Sequence, residues 1–297
     1  MRILVTGATG LIGSAVHRHL ALHHEVVTLG RRKGADFRAD LTAPESIGRV
    51  KFGELDTLVH CAGVVDEDFV ADPERAFRSA LLGADALVGA ALAAGARQLV
   101  YVSSAHVYGP MTGHKDETYS PDPRSNYAIA HYATEQVFKR RTSPGVAGLA
   151  LRPCAVFGDL PDPSAFRRWS LIPFSFPRDA AQSGHIVLRS TGEQRRNFVG
   201  TDDIAGTIAQ WLDSGPMGWS VINPLGVHAM SVFEFAQTCA TIAAEMTGRA
   251  VEVTRQPPNG PTPGDDFDYA STSSMASGSQ DLRFTLSRLI GAVRAEA

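Results

Sequence analysis

The 297-residue chain is long enough to bury a large core, as one big domain or two unequal ones sharing a cleft. Its 44% hydrophobic and 20% charged residues exclude disorder and fibrous repeats. A formal net charge of -3, with no basic cluster beyond pairs such as Arg31-Arg32, Arg140-Arg141 and Arg195-Arg196, gives no reason to bind nucleic acid or an anionic membrane.

In chain order, the apolar run Ile3-Leu4-Val5 ends in Thr6-Gly7 and predicts a buried strand running into a glycine turn. Leu11 to His23 has helical spacing, and Val26 to Leu29 predicts the second strand. A short helix near Pro44 precedes a strand at Thr57-Leu58-Val59-His60, and a long helix runs from about Pro73 to Ala94. Leu99 to Val102 is a strand, Ser125 to Lys139 a helix, and Gly148 to Leu151 another strand. Strands alternating with helices in this way imply an α/β fold, a doubly wound parallel sheet with right-handed crossovers. Beyond about Asp159 the pattern loosens. Asp202 to Leu212 reads as one more helix, and Ser231 with Glu234 forms a capping box ahead of a helix to Met246. Pro257 to Gly264 is a Pro/Gly-rich connector before a polar stretch and a short C-terminal helix. Residues 1-158, with about 196-223, are expected to form the dinucleotide-binding domain, and 159-195 with 224-297 a smaller α/β substrate-binding domain.

The three cysteines, Cys61, Cys154 and Cys239, form no Cys-x-x-Cys pair and read as buried structural thiols of a reducing compartment. Met1 is followed at once by Arg2 and a strand, with no signal-peptide pattern. The most apolar stretch, Ala86 to Ala96, is too short to span a bilayer, so a cytoplasmic location is expected. His17, His19, His23 and His24 lack a carboxylate at ligand spacing, so no metal site is expected, although His19 and His23 would share a helix face.

The strongest signal is Thr6-Gly7-Ala8-Thr9-Gly10-Leu11-Ile12-Gly13 between the first strand and the first helix. Its glycines permit a tight turn and close backbone approach, and the helix N-terminus offers N–H groups to a pyrophosphate. The spacing is one residue longer than the usual G-x-G-x-x-G. After the second strand come Arg31 and Arg32, where a site for NAD places an acidic residue. An arginine there pairs with the 2′-phosphate of NADP, so NADP(H) is favoured over NAD(H).

The chain resembles the extended short-chain dehydrogenases/reductases, a family of sugar-nucleotide epimerases, dehydratases and ketoreductases. The resemblance rests on the glycine motif, Asp40-Leu41-Thr42, His60-Cys61-Ala62-Gly63, Val102 to Gly109, Tyr127, Leu151 to Gly158, Arg196-Asn197-Phe198-Val199 with Asp202-Asp203-Ile204, and Ile222-Asn223-Pro224. It implies a dinucleotide held by Gly7, Thr9, Gly10, Leu11, Ile12 and Gly13, by Arg31 and Arg32, by Asp40 and Leu41, and by Cys61, Ala62, Gly63, Tyr127, His131 and Pro153. It implies Ser104 as the hydroxyl bonding the reacting oxygen and the substrate, and Tyr127 as the acid/base. Arg195 and Arg196 are candidates for a substrate diphosphate, with Arg167, Arg168 and Arg189 weaker ones.

Three departures stand out. The family's Tyr-x-x-x-Lys is here Tyr127-Ala128-Ile129-Ala130-His131, with His131 one turn on and facing the same way. The family's lysine holds the nicotinamide ribose and brings a fixed charge, whereas a histidine is mostly neutral at pH 7. Either His131 substitutes, or another residue such as His106 acts, or chemistry has been lost. The Asp-Glu pair of the family's dehydratases is replaced by Ala105 and His106, which argues against dehydration. Ala80 stands where the family often has Asn. The reading is an NADP(H)-dependent reductase of a nucleoside-diphosphate keto-sugar, with a sugar-nucleotide epimerase and a non-catalytic dinucleotide-binding protein as alternatives. The wide apolar surface of the Pro73 helix suggests a homodimer.

Overall fold

The computed structural model of the chain describes residues 1–160, 162–257, 260 and 262–295. Its strands are β1 (Arg2–Thr6), β2 (Glu25–Gly30), β3 (Phe37–Arg38), β4 (Thr57–His60), β5 (Gln98–Val102), β6 (His114–Lys115), β7 (Ala147–Leu151), β8 (Ala155–Phe157), β9 (His185–Val187), β10 (Arg195–Gly200), β11 (Trp219–Ile222), β12 (His228–Ser231), β13 (Glu252–Thr254) and β14 (Asp268–Tyr269). Seven of them form one sheet in the order β11-β7-β5-β4-β1-β2-β3, every neighbouring pair parallel. The chain walks outward from β1 to β3, then returns to β4 on the other side of β1. In an open α/β sheet that reversal leaves a crevice beyond the carboxyl ends of the strands where the order switches.

The alternating strand residues feed two cores, because successive side chains point to opposite faces. Ile3 and Val5 of β1, with Val59, Val100, Leu149 and Leu151, meet Val16 and Leu20 of α1 (Leu11–Leu20) and, from later in the chain, Ile204 and Ile208. Leu4, Leu58, Leu99 and Tyr101 face the opposite side. The helices there follow α2 (Pro44–Ile47), α3 (Asp66–Ala71) and α4 (Pro73–Arg78). They are α5 (Ala84–Ala93), with Leu87 and Val88, and α6 (Asn126–Lys139), with Phe138. Each fully buried aliphatic or aromatic side chain of this kind contributes about 1.5–3 kcal/mol.

The remaining helices are α7 (Ile172–Gln182), α8 (Thr201–Asp213), α9 (Val232–Thr247) and α10 (Leu282–Ala295). Of these, α8 lies on α1 and supplies Ile204 and Ile208. A separate sheet, β12-β10-β8, packs on α7, α9 and α10 around a third core. Its centre is the stack of Phe198 on Phe235, ring centroids 4.3 Å apart. The parallel pairs β13-β9 and β14-β6 complete the strands. Ser231 and Glu234 cap α9 reciprocally, and Ser125 caps α6.

Several elements differ from the sequence expectation. The first helix stops at Leu20, its last buried residue, and the chain turns to enter β2 at Glu25. His23 therefore lies off the helix and shares no helix face with His19; no group of metal-ligating side chains occurs among the described residues. The Pro73 helix is interrupted by a π turn over Ser79–Gly83. There Gly83 comes so close to β3's loop that a Cβ would lie 2.3 Å from the Leu41 carbonyl oxygen. Taken with this turn, Pro73–Ala93 is by length and composition alone enough to cross a bilayer, contrary to the reading of Ala86 to Ala96, but its Ala84, Leu87, Val88 and Ala91 are buried on the sheet side. Two helices went unforeseen. In α3, the Asp68 carboxylate accepts from the Val65 N–H at 2.9 Å and closes the first turn. In α7, Pro173 sits in the first turn, where no N–H is needed, and Pro177 lies inside. Those prolines made the stretch read as irregular. Cys61 and Cys154 are half-buried just beyond strand ends, and only Cys239 is fully buried. The C-terminal helix has 14 residues, and the Pro257 to Gly264 connector lies partly outside the described residues.

Candidate active site

The glycine turn lies at the switch between β1 and β4. Gly7 has φ +72°, and a Cβ there would stand 2.8 Å from the backbone of Cys61 and Ala62 in the loop after β4. A Cβ on Gly13 would lie 2.1 Å from the Gly7 carbonyl oxygen, so only glycine lets α1 start this close to the turn. Gly10 is the N-cap of α1, and its N–H donates to the Gly7 carbonyl at 2.8 Å. The first N–H groups of α1, at Leu11, Ile12 and Gly13, have no intrahelical acceptor by geometry and open toward the crevice with the positive end of the helix dipole. Thr9 and Gly10 are exposed. This cradle offers the free N–H groups and the close backbone approach that a pyrophosphate requires.

Beyond β2, Arg31 and Arg32 are exposed, and neither forms a salt bridge among the described residues. Asp40 and Leu41 lie past the end of β3. Burial raises the Asp40 pKa, but the hydrogen bonds from Thr42 and the charges of Arg31 and Arg75 outweigh it and hold the carboxyl below its ordinary value. Its Oδ1 accepts from the Thr42 N–H at 2.9 Å, which fixes the loop. Under the crevice floor, Thr6 Oγ1 and His60 Nδ1 are 2.7 Å apart; burial pushes the His60 pKa down to about 4 and the Cys61 thiol up to about 12. The Ala62 N–H donates to Thr6 Oγ1 at 3.3 Å.

Four polar side chains converge where β5 ends. Ser104 is buried and caps a 3-10 turn, Ala105–Tyr108, accepting from the His106 N–H at 3.3 Å. Its own hydroxyl hydrogen has no acceptor among the described residues. His106 therefore sits on that turn, beyond the end of β5, and its ring meets Tyr127 edge-on at 5.7 Å. Solvent reaches His106 through the open crevice while protein surrounds its other sides. That enclosure, then the charges of Arg196 and Arg168, lower its pKa against the opposing pull of Asp66. Tyr127 lies in the first turn of α6, half-buried, with His131 edge-on at 4.4 Å.

His131 is buried, and its Nδ1 lies 2.7 Å from the Tyr101 hydroxyl. Its Nε2 is buried without a hydrogen-bond partner. Burial is the main cause that pushes its pKa down to about 3; the nearby Val64 backbone pulls the other way, and the charge of Arg168 adds to the lowering. The imidazole is neutral at physiological pH. Behind the site, Arg152 grips Glu135 through two hydrogen bonds of 3.0 and 2.7 Å, and Ser103 donates to the same carboxylate at 2.6 Å. Burial works against the Arg152 charge, and Glu135 more than restores it. Tyr269 donates to the Arg152 carbonyl, tying the C-terminal segment to this base. Pro153 follows, its carbonyl taken by the Ala105 N–H at 2.9 Å.

The two neighbouring arginines of β10 part company. Arg195 is turned to the Ala229 carbonyl, 2.9 Å away at an exposed edge. Arg196 is half-buried toward Phe267, its pKa lowered by burial, and its charge reaches His106. Arg168 stands 5.9 Å above the Tyr127 ring and 3.7 Å from Asp66. Arg167 and Arg189 are exposed; Arg189 lines a surface hollow with Ser190 and Thr191, away from Tyr127. Sequence reasoning missed Tyr101 and the Glu135–Arg152 pair. The one available signal for Tyr101 was a tyrosine within an otherwise aliphatic strand, whose hydroxyl needs a buried partner.

The model of the NAD dependent epimerase/dehydratase family matches residues 3–223. The GDP-6-deoxy-D-mannose reductase of Pseudomonas aeruginosa is 27% identical over 249 residues, covering 82% of this chain and 80% of that protein. The dTDP-4-dehydro-6-deoxy-D-allose reductase of Streptomyces bikiniensis is 27% identical over 266 residues, 79% of each chain. A solved structure of RMD from Pseudomonas aeruginosa, complexed with NADPH, superimposes with a TM-score of 0.79 at 22% identity, covering 99% of both chains.

Proposed function

Because the chain belongs to the NAD dependent epimerase/dehydratase family, we propose that it is an NADP(H)-dependent reductase of a keto-sugar carried on a nucleoside diphosphate. The observation that carries this reading is the neutral, buried His131 beside Tyr127. An epimerase begins by taking a proton from a sugar hydroxyl, which calls for a phenolate and a cation beside it. A reductase ends by giving a proton to an alkoxide, which calls for the intact phenol. A neutral imidazole suits the second. The two curated relatives, by their names sugar-nucleotide reductases, support the same choice.

The residues assign themselves as follows. The glycine turn and α1 hold the pyrophosphate, Arg31 and Arg32 meet the 2′-phosphate, Asp40 borders the adenine side, and His131 Nε2 faces the ribose next to the nicotinamide. When bound, NADPH supplies the hydride that reduces the carbonyl carbon. Ser104 donates a hydrogen bond to the carbonyl oxygen and steadies its growing charge. Tyr127 passes its phenol proton to that oxygen. Arg196 meets the diphosphate of the substrate. The exposed Leu82 and Ile129, on helical segments that pack together, support a homodimer, and three free thiols support a cytoplasmic setting.

The test is the loss of NADPH absorbance when nucleoside-diphosphate keto-sugars are added. Tyr127→Phe is expected to slow it by about 10²–10⁴-fold with NADPH binding retained; full turnover by Tyr127→Phe would refute the assignment.

A further inference from the structure

The family's pattern places a lysine ammonium, always a hydrogen donor, one turn after the tyrosine. An imidazole is a donor at only one of its nitrogens when neutral, and which one is decided by the partner of the other. His131 is neutral and fully enclosed, so its tautomer decides whether Nε2 can replace the lysine's contact at all.

The surroundings settle the direction. Tyr101 Oη lies 2.7 Å from His131 Nδ1, both side chains buried and their rings stacked at 5.8 Å between centroids. A phenol is the stronger hydrogen donor of the two groups and an imidazole nitrogen the stronger acceptor, so the bond runs from Tyr101 to Nδ1. Thr134, the other polar side chain beside Tyr101, does not compete as a donor. Its hydroxyl points to the carbonyls of Ala130 and Ala80, at 2.8 and 2.9 Å. His60 and Phe138 close the remaining sides of the Tyr101 ring, at 5.6 and 5.3 Å. The hydrogen of His131 is then on Nε2. That nitrogen has no partner at hydrogen-bond distance; its neighbours are the Val64 backbone and Gly63, where a Cβ would lie 3.7 Å away. Gly63 belongs to the loop after β4 that lines the crevice, so on that side only a residue without a side chain stands between the buried Nε2 and the crevice.

We propose that Tyr101 is a positioning residue for the dinucleotide: by donating its hydroxyl hydrogen to Nδ1 it holds His131 as the Nε2–H tautomer, which presents a hydrogen to the ribose as a lysine ammonium would. This rests on the placement of the dinucleotide given above. It makes a Tyr–His pair, one residue on β5 and one on α6, the equivalent of a single lysine.

The experiment reads the tautomer first. In the full chain with ¹⁵N-labelled histidine, the signals that disappear in His131→Gln belong to His131. Long-range ¹H–¹⁵N correlation should show Nε2 bearing the hydrogen, and a hydrogen on Nδ1 would overturn the proposal without any variant of Tyr101. Calorimetric titration then reads the role. Tyr101→Phe should weaken NADPH binding by about 2–10-fold, the loss of one fixed hydrogen bond. In a His131→Lys background the same Tyr101→Phe change should have no further effect, because lysine has no tautomer to fix. An equal loss in both backgrounds would assign Tyr101 a packing role and overturn the proposal. No NADPH binding by the wild type would instead overturn the proposed function, and would show as absent heat in every protein.

Discussion

The imidazole of His131 stands edge-on to the phenol of Tyr127, ring centroids 4.4 Å apart, and it does so as a neutral, dry group. A substitution that looks in sequence like damage to a catalytic pair is built into the core by Tyr101 and Gly63. The chemistry it suits is proton donation, and the predictions below follow from that and from the cradle ahead of it.

Gly10 and Gly13 of the turn have different duties. Gly13→Ala is expected to destabilise the fold by about 1–3 kcal/mol, since its Cβ would meet the Gly7 carbonyl at 2.1 Å. Gly10→Ala meets only that oxygen, at 3.2 Å, with open space otherwise. It should unfold near the wild-type midpoint and instead lose dinucleotide affinity. Urea unfolding paired with titration of NADPH separates the two outcomes; equal stability of both variants would refute the distinction.

Arg31 and Arg32 stand exposed beyond β2 with no salt bridge among the described residues to satisfy them. Replacing both by alanine should weaken NADPH binding by about 10–100-fold, the worth of one hydrogen bond to a charged group, and leave NADH binding nearly unchanged. A parallel loss for both dinucleotides would mean that neither arginine reads the 2′-phosphate.

Stability should fall in mild acid. His60 and His131 are held neutral by burial, with pKa values of about 4 and about 3. In the unfolded chain both titrate near ~6.5. Between those values the unfolded state binds more protons, so stability is complete above pH ~6.5 and drains away as pH falls toward the folded pKa. Each histidine contributes a slope of about 1.4 kcal/mol per pH unit within that window. The urea midpoint should drop from pH 7 to pH 5, and the drop should shrink in His131→Gln. A midpoint that does not move over this range would contradict the burial of either ring.

Much of the scaffold was legible because its signals are local. Ile3-Leu4-Val5 before Gly7, Thr57 to His60, and Ser231 with Glu234 each carry their own instruction, and the structure follows them. What escaped depended on distant partners or on prolines that local reasoning misreads. Pro173 and Pro177 hid α7. The π turn at Ser79–Gly83 answers to Leu41, 42 residues before Gly83 in sequence, through a contact no periodicity reveals. The site was read as a set of residues, and the structure gathers Ser104, His106, Tyr127 and His131 into one group. It also separates Arg195 from Arg196, which adjacency in sequence had treated alike. Tyr101 was invisible as a functional residue because nothing in β5 says that its hydroxyl ends on His131, 30 residues later.

The most direct measurement is isotope transfer. The protein is given NADPH carrying deuterium at the transferable C4 position, together with a nucleoside-diphosphate keto-sugar, and the product is weighed by mass spectrometry. Reduction as described predicts a product sugar one mass unit heavier than with ordinary NADPH, matched by an equal consumption of NADPH. A sugar converted without gain of deuterium or loss of NADPH, or no conversion while NADPH remains bound, would contradict it.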